Sequence, residues 1–283
     1  MGTHALFLPV TQGQRFCLFH PAHVASRLSV RGQVVYIHPF AEEMNKSRHM
    51  AALQARALAQ AGFDVIQIDL LGCGDSSGDF GDATWIDWVD DVKVACEWLR
   101  LQLENVTAIS VQRPPLWLWG LRSGCLVAAQ TANALAEPCN FLFWAPTPSG
   151  KLVLQQFLRL KAAGDLASGN ARAVMNGLRD ALNQGRPVEI GGYLLAPDLA
   201  NGLAHAALSP PKPVAKTGRV EWIELTSSDE CALTPVATAA ISQWRESGHA
   251  VRSYVIRGPA FWQTSEIIDN PGLVGATTSA ILQ

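Results

Sequence analysis

Hydrophobic positions in this chain come in short bursts separated by longer stretches of helical spacing, the alternation that βαβ units require. Residues 15–20 read as an early strand and 27–30 as a candidate second strand. Residues 33–37 are almost continuously apolar, as expected of a strand buried on both faces. The helical spacing of 50–61 stops at Gly62, a residue suited to the left-handed position just past a helix end. Residues 64–68 predict the next buried strand, and 82–103 one long helix carrying Trp85, Trp88 and Trp98. A strand over 116–119, a helix over 124–135 and a strand over 141–144 continue the rhythm until Pro146, Pro148 and Gly150. From 151 to about 212 the strand signal vanishes, leaving helical patterns at 152–163, 171–183 and 197–208. Pro210, Pro211 and Pro213 close that segment like a linker. A strand over 220–225, a helix over 235–247 and a last strand over 251–256 then resume the sheet.

The pattern predicts an α/β protein with a mostly parallel central sheet flanked by helices. Residues 1–150 and 213–283 form its core, and 151–212 a small helical insertion. The length of 283 residues, 48% of them hydrophobic, suits one such domain. Only 16% of residues are charged, the net charge is -2, and Lys and Arg form no basic tract, so no nucleic-acid partner is expected. The apolar start lacks both a basic segment and a long apolar core, and no apolar run approaches the ~20 residues of a membrane helix. Six widely spaced cysteines, with no C-x-x-C pair, read as free thiols of a cytoplasmic protein rather than as disulfides or a zinc site. No metal or cofactor is expected.

Four segments resemble, in order, the α/β-hydrolase superfamily. His38-Pro39-Phe40 lies at the end of a predicted strand, where that superfamily builds half of its oxyanion hole. Asp69-Leu70-Leu71-Gly72-Cys73-Gly74-Asp75-Ser76 resembles its D-x-x-G-x-G-x-S turn. Trp119-Gly120-Leu121-Arg122-Ser123-Gly124 stands at the strand-to-helix elbow, and Leu225-Thr226-Ser227-Ser228-Asp229 at the strand end that bears the acid. A closer likeness is to the exosortase A system-associated hydrolases, second type. It rests on the stretch from His38 to Arg48, Trp119-Gly120-Leu121-Arg122, Trp144-Ala145-Pro146 and the stretch from Phe261 to Ile267. This resemblance implies an α/β-hydrolase fold with a helical cap, and a cytoplasmic role beside exopolysaccharide synthesis and protein sorting. It does not supply a substrate.

A nucleophile elbow needs small residues two places before and after the nucleophile, because the chain turns there sharply from strand to helix. Gly120 and Gly124 meet that need, and the residue between them is Arg122. A guanidinium does not lose its proton at working pH and does not attack carbonyls. Ser123 is adjacent, but as nucleophile it would put Leu121 and Cys125 at the small positions. Its backbone N–H remains the natural oxyanion donor, with Phe40 as the second, since Pro39 has no N–H. No histidine follows the last predicted strand, where a triad base belongs; His249 precedes that strand and so sits at the opposite sheet edge. His38 and His49 fall nearer the correct edge, His38 with a part in loop geometry. Asp229 or Glu230 matches the acid position, or else caps a turn. A buried Arg122 needs a carboxylate, and Glu42, Glu43, Asp229 and Glu266 all fall on loops expected at that edge. The arginine either ties these loops together or binds an anionic ligand. Asp69, Gly72 and Gly74 read as turn structure, and the tryptophans as core.

Two functions follow. One is an ester or thioester hydrolase, or acyl transferase, with an unorthodox nucleophile or a water activated by Glu42, Glu43 or Glu266. The other is a non-catalytic binding or scaffold protein that kept the fold and binds an anionic ligand. The partner expected in both is a small acylated or anionic metabolite, with a homodimer left open.

Overall fold

Eight strands make one sheet in the computed structural model, which describes residues 2–104, 113–135, 137–163, 171–212 and 218–283. They are β1 (His4–Val10), β2 (Gly13–His20), β3 (Gly32–Ile37), β4 (Phe63–Ile68), β5 (Leu116–Leu121), β6 (Asn140–Trp144), β9 (Arg219–Thr226) and β10 (Ala250–Arg257), with the short pair β7 (Val188–Ile190) and β8 (Tyr193–Leu195) lying apart. The order across the sheet is β1-β2-β4-β3-β5-β6-β9-β10. β1 and β2 are antiparallel to their neighbours, and every pairing from β4 to β10 is parallel. Every residue of β3 and of β5 is buried, which is why both read as nearly continuous apolar runs, broken in β3 only by Gln33.

Helices cover both faces. α1 (Glu42–Gln60) and α8 (Pro271–Leu282) pack on one, against Tyr36, Trp119 and Trp144. α2 (Trp85–Glu104), α3 (Gly124–Ala134) and α7 (Pro235–Glu246) pack on the other, around Phe141, Phe143, Trp222 and Trp244. Between β6 and β9 the chain forms α4 (Gly150–Ala163), α5 (Ala171–Asn183), the β7–β8 hairpin and α6 (Pro197–His205). A bridge between Ser149 and Ala207 pins the base of this insertion.

Several expectations need correction. Residues 27–30 form a 3-10 turn, Arg27–Ser29, not a strand: the Ser26 side chain caps Leu28 N–H, and the Arg27 guanidinium is drawn onto the buried Asp64 carboxylate. β1 escaped the sequence pattern because it is an edge strand carrying Pro9, with most of its residues exposed. The 151–212 segment is not wholly helical, since Gly191 and Gly192, both at positive φ, turn a hairpin within it. α1 begins eight residues before the expected start, so its first turn carries Glu42 and Glu43 to the carboxyl edge of the sheet. α8 was not foreseen, although Asn270 caps Leu273 N–H and Pro271 opens the helix. Trp85 and Trp88 are buried in the core, as expected.

Candidate functional site

β5 ends at Leu121 and α3 begins at Gly124, leaving Arg122 and Ser123 to make the turn. A Cβ on Gly120 would come within 2.5 Å of Cys125 N, and one on Gly124 would overlap the Ile37 carbonyl oxygen. The two glycines therefore allow β5, α3 and β3 to meet closely. Arg122 takes φ 55°, the left-handed region that costs a residue with a Cβ ~1–3 kcal/mol. Its N–H donates to Trp144 O at 2.9 Å, tying the elbow to β6. The other two non-glycine residues at positive φ, among the described residues, are Ala41 and Ala145. They follow β3 and β6, the strands on either side of β5, so all the strained backbone lies at one sheet edge.

The Arg122 side chain is 15% exposed and packs over the Trp262 ring, 5.4 Å from its centroid. One terminal nitrogen, Nη2, donates to Gln156 Oε1 at 3.1 Å, which ties α4 to the elbow. Nε is buried without a hydrogen-bond acceptor; Glu43 Oε1 lies 3.6 Å away, within ion-pair reach but beyond a hydrogen bond. The Trp262 indole N–H is likewise buried and unpaired. Burial pushes the Glu43 carboxyl up to about 7; the Arg122 charge opposes that rise and the neighbouring Glu42 adds to it. Glu224, near the end of β9, accepts from Trp222 Nε1 at 2.8 Å. Its carboxyl is raised by burial, while that indole bond and the Arg122 charge pull it back.

Of the expected oxyanion donors, neither Ser123 N–H nor Phe40 N–H has an acceptor among the described residues. Phe40 is buried against Phe80, Trp88 and Phe157, which fixes its loop. His38 is also buried. Its Nδ1 lies 2.8 Å from Pro39 O and its Nε2 receives Leu70 N–H at 3.3 Å, so the ring is neutral with the proton on Nδ1. Burial lowers its pKa, consistent with a part in loop geometry.

The turn after β4 is held as its sequence suggested. Asp69 accepts from Arg48 at 2.9 Å and from Asp75 N–H at 3.2 Å. Beside it a buried ion pair, Arg15–Asp91 at 2.6 Å, anchors Leu71 N–H through the second carboxylate oxygen at 2.7 Å.

The structure thus brings Glu43, but not every candidate acid, to the arginine. Asp229 is exposed and pairs with Arg257 at 2.7 Å. Glu266 is exposed, its carbonyl accepting from the Thr264 hydroxyl, and Glu42 is half-buried beside Glu43. Ser123 is buried at the start of α3 and makes no side-chain cap, and no histidine hydrogen-bonds to it among the described residues. His249 packs edge-on against Trp244 and bonds to Ser247 just before β10, at the amino edge. His49 pairs with Asp269 at 2.5 Å on the exposed side of α1.

Sequence reasoning did not single out Glu224 or Gln156, and it marked Trp262 only as part of the 261–267 stretch, with no role at the site. Two carboxylates, Glu221 and Glu224, interrupt the 220–225 run and were a usable signal for Glu224; nothing local marked Gln156. Among the described residues, no cluster of three His, Cys, Asp or Glu could hold a metal, and no helix is long and apolar enough to cross a membrane. All six cysteines are free.

A family model described as serine aminopeptidase, S33, matches residues 29–168. Among solved structures the chain is similar to Est1E of Butyrivibrio proteoclasticus with ferulic acid bound, at 13% identity over 98% of both chains and a TM-score of 0.63. It is also similar to a lidless α/β serine hydrolase of Xanthomonas campestris, at 18% identity over 99% of this chain and 94% of that one, TM-score 0.55. A third likeness is to the α/β hydrolase GrgF of Penicillium sp. sh18, at 14% identity over 99% and 98%, TM-score 0.57. A sequence search of curated proteins finds no match. At these identities the likenesses show the fold and do not reach the chemistry.

Proposed function

We propose that this chain, whose fold is that of the α/β-hydrolases, uses its elbow to hold the anionic head of a small acylated metabolite rather than to attack an ester. One observation carries the reading. Where a nucleophile would stand, Arg122 presents a buried Nε with no acceptor. An unpaired buried donor costs ~1–3 kcal/mol, which a ligand carboxylate or phosphate recovers. The N–H groups of Ser123 and Phe40 and the positive end of α3 favour the same charge. Glu43 does not cancel the arginine, because a carboxyl lifted to about 7 is only half ionised near neutral pH.

Calorimetric titration with acetyl phosphate and short carboxylates tests this. Arg122→Gln should weaken binding at least tenfold while leaving the circular dichroism spectrum intact. If the native chain binds no anion and Arg122→Gln sharply lowers the melting temperature, the arginine only ties loops together and the reading fails.

The position of Glu43 favours a second reading, in which it acts as a general base on water against an ester or thioester polarised by the same donors. Turnover of activated short-chain thioesters that Glu43→Gln abolishes would establish it. In both readings a fluorophosphonate serine probe leaves the protein unlabelled; labelling lost in Ser123→Ala would restore serine chemistry. The stretches around His38, Arg122 and Trp262 further support a cytoplasmic role in the exosortase and exopolysaccharide system.

A further inference from the structure

The helix that reaches the elbow is amphipathic in an unusual sense. α4 buries Val153, Phe157, Leu158 and Ala162, and Phe157 packs edge-on against Phe40. Its opposite face should be polar in a helix that caps a core. Beside the exposed Lys151, Gln156, Arg159 and Lys161 it also exposes Leu152 (46%) and Leu160 (48%), one turn before and one turn after Gln156. Residues spaced by four lie on one face of a helix, so Leu152, Gln156 and Leu160 form a single stripe. Gln156 is the residue that receives Arg122 Nη2. The two leucines therefore flank, one helical turn to either side, the glutamine that holds the guanidinium.

Resting on the anion-binding reading, we infer that the ligand is an amphiphile: a carboxylate or phosphate head at Arg122, and a linear aliphatic chain lying along α4 over Leu152 or Leu160. Two exposed leucines on a surface helix need no explanation alone. Their register with the arginine's own partner does, because a chain leaving the guanidinium in either direction meets apolar side chain within one helical turn, ~5 Å. A free anion such as acetate would use the head site and leave the stripe untouched.

The test is a homologous series of sodium carboxylates, acetate, butyrate, hexanoate and octanoate, titrated into the full chain with 1-octanol as uncharged control. A fully buried methylene tightens binding about fourfold. On an open helix face about half of each methylene is covered, so about twofold per methylene, or ~60-fold from acetate to octanoate, is expected. Leu152→Ser combined with Leu160→Ser should flatten the series toward the acetate value while leaving acetate affinity and the melting curve unchanged. Arg122→Gln should weaken every carboxylate and leave the weak octanol signal unaltered. Equal affinities for acetate and octanoate, both sensitive to Arg122→Gln, overturn this inference and leave the anion site standing. A chain-length series that survives Arg122→Gln also overturns it, by placing the chain elsewhere. Absence of binding by any carboxylate overturns the anion reading and the inference with it.

Discussion

Glu43→Gln removes a carboxylate that the fold makes costly to ionise. In the unfolded chain this group titrates near its ordinary value of 4.5; in the folded chain burial beside Glu42 lifts it to about 7, against the pull of Arg122. Below pH 4.5 both states hold the proton and the native fold has its full stability. As pH rises from 4.5 to 7 the unfolded chain releases the proton while the folded chain keeps it. Stability therefore falls through that window, and above 7 the loss is complete. A difference of roughly 2.5 pH units amounts to about 3 kcal/mol. Glu43 is only 15% exposed, so solvent screening reduces this little. In a chain of this size one kcal/mol moves the melting temperature by ~2 °C, which makes the full effect ~6 °C. Melting curves of both proteins from pH 4 to 8.5 should coincide near pH 4 and diverge above it, with Glu43→Gln melting ~6 °C higher at pH 8. Other raised carboxyls such as Asp91, at about 6, titrate in both proteins and drop out of the comparison. Parallel curves would refute the reasoning. A variant less stable at pH 8 would show that attraction to Arg122 outweighs burial.

Three further outcomes follow from the geometry. Gly124→Ala forces a methyl against the Ile37 carbonyl oxygen and should cost about 3 kcal/mol or more in denaturant melts; an unchanged midpoint would mean that the elbow is looser than described. Asp91→Asn leaves Arg15 charged, buried and without its partner, and should cost ~3–5 kcal/mol, measured the same way; a loss below 1 kcal/mol would show that the pair is not the anchor of the 69–76 turn. Arg122→Ser installs a hydroxyl at the elbow with no histidine to activate it, so neither fluorophosphonate labelling nor esterase activity should appear; robust turnover would reveal a base reached from elsewhere.

The buried strands were legible because β3 and β5 are covered on both faces and so carry nearly continuous apolar runs. The elbow was legible for a different reason: two close backbone approaches demand glycine at a fixed spacing, and the strained residue falls between them. What the pattern hid was set by contacts distant in sequence. The helical spacing begins at 50 and leaves Glu42 and Glu43 on a loop, yet residues 42–49 form the first turns of α1 and bring Glu43 to the arginine. Asp229 sits at the strand end where an acid belongs, but with Arg257 beside it in solvent its charge turns outward. Gln156 and Trp262 meet Arg122 from the insertion and from the segment after β10, separations of 34 and 140 residues that no local rule spans.

The elbow has a consequence for how this scaffold could change its chemistry. The left-handed turn is enforced by the glycines on either side and by the Trp144 carbonyl, none of which depends on the side chain at position 122. The backbone there can carry other side chains, an unbranched or Asn-like residue at lower cost than a β-branched one, although replacing the arginine also gives up its contacts to Gln156, Glu43 and Trp262. A nucleophile placed there would still need a base, and the segment from Gly258 to Trp262, just beyond β10, is one stretch of chain at the carboxyl edge that could carry one. Trp262 already reaches Arg122 from that segment. The distance from an anion holder to an acyl-transfer catalyst is then measured in two or three side chains on an unaltered frame, which makes this protein a practical host for installing a triad stepwise.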